Sequence, residues 1–82
     1  MSWTSIDLIA TGNKIRELRT ARGLTVKDVQ AYLNLSEPQS IYKWQRGECL
    51  PSVDHLHSLA KLFGVRIDDI LIEKGGPPND RS

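Results

Sequence analysis

Cysteine is nearly missing from this sequence. Cys49 is the only one in 82 residues, so no disulfide can close within the chain. That usage suits a reducing compartment, and a cytoplasmic location is the expectation. Long hydrophobic runs are missing too. No apolar stretch approaches the roughly 20 residues that span a bilayer, and no signal-peptide pattern opens the chain, so no membrane partner is expected. Strand-like alternation, internal repeats and low-complexity blocks are lacking. So are a glycine-rich phosphate loop and a nucleophile motif. His55 and His57 stand two apart and would leave a helix on different sides, which is poor metal-ligand geometry. Neither an enzymatic activity nor a metal or other cofactor is expected.

Excess charge is also lacking, since the formal net charge is only +1. Its distribution is uneven. Residues 1–47 hold seven Lys or Arg and four Asp or Glu, whereas residues 48–82 hold four and six, so the first part is basic and the second acidic. Placement governs a surface field more than the total does.

The length fits one domain with a small core that suffices if well packed. Residues 1–10 carry Trp3, Ile6, Leu8 and Ile9 and read as an ordered N-terminal arm. A first helix is expected over about Gly12–Arg22, with Thr11 as its cap, Ile15 and Leu18 as an apolar pair, and Gly23 as its stop. Thr25 and Asp28 have capping-box spacing. Val26, Val29 and Leu33 form one stripe, and Asn34 suits a left-handed helix end, so a second helix covers about Thr25–Leu33. A third spans Pro38–Arg46, with Ile41 and Trp44 facing inward and Gly47 closing it. Val53, Leu56, Leu59, Ala60 and Phe63 make the stripe of a fourth, ended by Gly64. A short fifth covers about Ile67–Ile72, with Asp68 and Asp69 near its positive end. The domain is thus expected over 11–72, followed by a flexible tail at 73–82. The leftover apolar residues of the arm and the last helix pack on each other or form a subunit contact.

Helices two and three, joined by a tight turn, have the outline of a helix-turn-helix. The surrounding pattern is more specific. Ile15-Arg-Glu-Leu-Arg19, Arg22-Gly-Leu-Thr25, Ser40-Ile41, Trp44, Arg46-Gly47, Leu50-Pro-Ser52, Leu56, Leu59-Ala60, Phe63, Gly64-Val65 and Asp68 follow one another in order. This stretch, about Ile15–Leu71, resembles the phage repressor and Cro-type helix-turn-helix regulators, the xenobiotic-response-element family. The resemblance implies an all-α, compact five-helix bundle of the lambda-repressor-like DNA-binding type. It implies a sequence-specific transcriptional regulator whose third helix enters the major groove of double-stranded DNA, with a homodimer on a two-fold operator. Some members are antitoxins or phage regulators.

If Ile41 and Trp44 point inward, Gln39 and Lys43 share the opposite face, with Ser40 beside them. These three are the candidates for base contact, because Gln pairs bidentately with adenine and Lys reaches guanine or a phosphate. Tyr42, Arg46 and Lys27 are the candidates for backbone contact, Lys27 with the free amides that open helix two. Arg16 and Arg22 read as solvated cations of a first helix.

Several positions depart from the family pattern. Val26 stands where Gln often touches DNA backbone, Gln30 where a small residue is common, and Asn34 where Gly is. The segment between Leu33 and Ile41 is one residue longer than the commonest form, which would let helix three stand off and make room for Gln30. Gln45 replaces a Glu that commonly pairs with an Arg like Arg19. Arg19 is therefore expected to be only partly buried, or to find Glu48. The low net charge, acidic second half and Val26 keep a second reading open. This is a protein-interaction module, or antitoxin-like protein partner, that retains the fold with weak or no operator reading.

Overall fold

The first helix begins where an aspartate can cap it. The computed structural model describes residues 5–75, and in it α1 runs Leu8–Ala21. The Asp7 carboxylate accepts the Ala10 backbone N–H at 2.9 Å, satisfying one of the amides a helix start leaves unpaired. The expected start at Gly12 with a Thr11 cap is therefore corrected. Thr11 lies inside α1, fully buried, and its hydroxyl accepts the Ile72 backbone N–H at 2.9 Å. A Thr in this position looks like a cap in sequence, but its partner comes from 61 residues away.

The second helix, α2 (Val26–Leu33), has both halves of the expected capping box. The Asp28 N–H donates to Thr25 Oγ1 at 3.0 Å, and the Thr25 N–H donates to Asp28 Oδ2 at 2.8 Å. Asn34 closes it in the left-handed conformation, φ 58°. The turn that follows is held by Gln30. Its backbone carbonyl accepts from Leu35 N, and its side-chain amide donates to Leu35 O at 3.2 Å. The residue that departs from the expected small side chain is thus a brace for the turn between α2 and α3.

Helix α3 (Gln39–Arg46) starts one residue later than expected. Pro38 is its N-cap, and the Pro38 carbonyl accepts from Ile41 and Tyr42. Helix α4 (Val53–Phe63) is capped by Ser52 and closed by Gly64. Its buried stripe is Leu56, Leu59, Ala60 and Phe63, whereas Val53, expected on it, is 77% exposed. Val53 follows the cap directly, and the first turn overhangs the core. Helix α5 is Ile67–Ile70, and Ile70 is fully buried.

Beyond α5 the chain turns extended rather than continuing as helix to Ile72. Ile6 and Glu73 form an isolated antiparallel bridge. Asp7 N donates to Ile72 O at 2.7 Å, and Lys74 N donates to Ser5 O at 2.8 Å. The arm and the end of the domain therefore pair through their backbones, an arrangement without the alternation that marks a strand in sequence. Glu73 belongs to this pairing rather than to a loose tail. Trp3 and residues 76–82 lie outside the described residues.

The core joins all five helices: Ile15 from α1, Val29 from α2, Ile41 and Trp44 from α3, Leu56, Leu59 and Phe63 from α4, and Ile70 from α5. Full burial of each large side chain stabilises by about 1.5–3 kcal/mol, so this set is the main source of stability. Leu18, Leu33 and Val26 pack on it half-buried.

Candidate nucleic-acid interface

Helix α3 is fixed from behind by α1. A Cβ on Gly12 would lie 2.2 Å from the Trp44 carbonyl oxygen and 2.8 Å from that of Gln45. Only glycine lets the two backbones approach this closely. One turn on, Gly47 closes α3 at φ 77°, and a Cβ there would meet Ile9 at 2.8 Å. The inward side is anchored by Ile41 and Trp44, at 0% and 4% exposure. The Trp44 ring also lies against His55 of α4, with centroids 5.4 Å apart.

With that anchor set, helical geometry decides what faces out. Gln39 and Lys43, one turn apart, are exposed, and Arg46 is exposed one turn further. Ser40 is half-buried, at the edge where the face turns toward Trp44. Tyr42 is 43% exposed. Lys27 is exposed in the first turn of α2. The expected candidates are thus brought to one side of α3, with Lys27 apart on the neighbouring helix. Lys43 and Arg46 occupy the last turn of α3, where cations suit the helix dipole.

Tyr42 and Arg46 also form one wall of an open groove between the helices, lined by Arg16, Arg19, Val26, Tyr42, Gln45 and Arg46. Arg16 reads in sequence as a solvated cation, and the structure brings it here. Its spacing of three from Arg19 placed both on one side of α1, but nothing in the sequence says which neighbour that side meets. Val26, half-buried, lines the groove with carbon, so no polar side chain stands at the first position of α2.

Charge pairing around the groove is selective. Glu48 binds Arg46 Nε as an exposed ion pair, and that hydrogen bond holds the Glu48 carboxylate below its ordinary pKa. Arg19 is only half-buried, as expected, but it does not find Glu48. Its Nε donates to Gln45 Oε1 at 3.0 Å, and its Nη1 donates to the Leu24 carbonyl at 2.8 Å. Glu48 is taken by Arg46, two residues away on the same strand of chain. No group of His, Cys, Asp and Glu that could hold a metal occurs among the described residues. Nor, among them, is any helix long and apolar enough to cross a membrane.

Comparison with known proteins matches this architecture. Residues 15–70 fit the family model described as helix-turn-helix. The HTH-type transcriptional regulator DdrOP3 of Deinococcus deserti is 38% identical over 58 residues, covering 71% of this chain and 44% of DdrOP3, so the chain spans less than half of that relative's length. Among solved structures, the restriction-modification controller protein C.AhdI from Aeromonas hydrophila superposes with a TM-score of 0.70 at 26% identity, over 78% of this chain and 96% of C.AhdI. The S. venezulae BldD DNA-binding domain gives 0.66 at 26% identity, over 79% and 96%. With α3 seated on a glycine, its polar face outward, and the family match running over residues 15–70, this chain belongs to the Cro/C1-type helix-turn-helix family.

Proposed function

We propose that this chain is a DNA-binding transcriptional regulator that lays α3 in the major groove of double-stranded DNA. The observation that carries this reading is the division of α3. Ile41 and Trp44 are buried, and the residues opposite them are exposed and able to donate or accept. Gln39, Ser40 and Lys43 meet base edges, while Lys27, Tyr42 and Arg46 meet the sugar-phosphate backbone. The relative named as a transcriptional regulator and the likeness to a solved DNA-binding domain support it.

The chain acts as a homodimer on a two-fold site, with its two α3 helices about 34 Å apart, one DNA turn. Solution mass measured against concentration tests this, and a mass that stays monomeric at the concentrations where DNA is bound would remove the dimer.

Selection of bound duplexes from a random pool, repeated across salt, is the deciding experiment. A recovered sequence preference with affinity falling steeply as salt rises is expected, because phosphate contacts release counterions. The competing reading, a protein-interaction module, draws on Val26, which offers no polar side chain at the start of α2. It predicts little duplex binding even at low salt.

A further inference from the structure

Arg19 is a half-buried cation that donates to two neutral acceptors, the Gln45 side-chain oxygen and the Leu24 carbonyl. Among the described residues the only ion pair is Arg46 with Glu48, so no carboxylate compensates Arg19. Removing a charge partly from water without an opposite charge is costly. Here that charge opens onto a groove shared with Arg16 and Arg46. Three guanidinium groups and a tyrosine line the groove, and even with Glu48 paired to Arg46 beside it the groove keeps a positive excess and no anion for Arg19.

Gln45 adds a second feature. Arginine can only donate, so the Gln45 amide oxygen must face Arg19, and its amide nitrogen is left to donate elsewhere. A glutamate in the same place would neutralise Arg19 and supply no donor. The neutral residue therefore keeps both a charge and an N–H available in the groove beside α3.

We propose that Arg19 and Gln45 form an anion seat for one backbone phosphate of the bound duplex, with Arg16 and Tyr42 at its rim, and that the neutral Gln45 trades fold stability for DNA affinity. This rests on the DNA-binding reading. Val26 lines the groove with carbon, so the phosphate is gripped between α1 and α3 and not by a side chain at the first position of α2. The free domain carries an uncompensated charge, and the phosphate supplies the missing partner on binding.

The trade gives the test a signature that a merely structural role for Gln45 lacks. In Gln45→Glu the new carboxylate pairs with Arg19 in place. The melting temperature should rise, on the order of 4–8 °C. Duplex affinity should fall roughly tenfold to hundredfold at low salt, the range for a lost hydrogen bond to a charged group. The slope of log affinity against log salt should flatten by about 0.9, the value for one phosphate contact. Arg16→Gln, on an exposed side chain that leaves the fold intact, should weaken all sequences alike by a smaller factor. If Gln45→Glu binds the duplex with unchanged affinity and salt slope, the anion seat is overturned while DNA binding stands. If the wild-type chain binds no duplex at any salt, the DNA reading itself fails, and the seat with it.

Discussion

At position 12 any side chain larger than hydrogen collides with the backbone of α3. The tightest contact of a Cβ there would be 2.2 Å to a carbonyl oxygen, which cannot rotate away. Gly12→Ala should therefore cost more than an ordinary overpacked methyl, about 1–3 kcal/mol or above. It should also shift α3, so melting temperature and affinity for every duplex should fall together. Gln39 behaves differently because it is exposed and holds nothing in place. Gln39→Ala should leave the melting temperature unchanged and relax discrimination by about 1–3 kcal/mol at one base pair, read by repeating the duplex selection. Arg46→Ala should weaken all sequences alike and flatten the salt slope, the mark of a phosphate contact. An unchanged preference profile in Gln39→Ala would remove that residue from the reading face.

At the scale of elements, α2 and its turn show local chemistry and tertiary fit agreeing. The capping box was legible because both partners lie within one turn, Thr25 and Asp28. It also gives a pH dependence. The Thr25 backbone N–H, and then its side chain, hold the Asp28 carboxyl below the ordinary carboxylate range. A folded-state pKa below the unfolded one contributes stability that is present above the unfolded value and is lost as pH falls through the folded value. Glu48, lowered first by its hydrogen bond from Arg46, acts in the same direction. The melting temperature should decline on acidification below about pH 5, and less steeply in Asp28→Asn than in wild type. Identical acid limbs in the two proteins would show that the cap does not set it. The Gln30 brace is the contrast. Gln30 stands where a small residue is expected, and its use depends on where Leu35 falls in the turn after α2.

Across the whole molecule, the two ends of the domain meet. Thr11 in α1 accepts the Ile72 N–H, while Asp7 and Lys74 donate across the same seam. Thr11 stands next to Gly12, the seat of α3, so the closing seam and α3 rest on the same turn of α1. Thr11→Val keeps the shape but strands the half-buried Ile72 N–H, at up to about 1–3 kcal/mol. Hydrogen exchange at Asp7, Ile72 and Lys74 should accelerate together. Acceleration at Ile72 alone would mean the seam is not cooperative.

What could be read from residues alone was whatever periodicity and neighbouring caps encode. Five helices, the inward Trp44 and Ile41, and the outward Gln39 and Lys43 follow from 3.6-residue spacing and from stop residues such as Asn34 and Gly47. These involve residues within a turn or two of each other. Tertiary structure alone decided the rest: that Thr11 serves Ile72 rather than a helix start, that Val53 overhangs the core, that Arg19 meets Gln45, and that Arg16 and Arg19 face the groove beside α3. Each depends on which faces of distant helices meet, and a side chain's spacing along its own helix fixes its direction but not its partner.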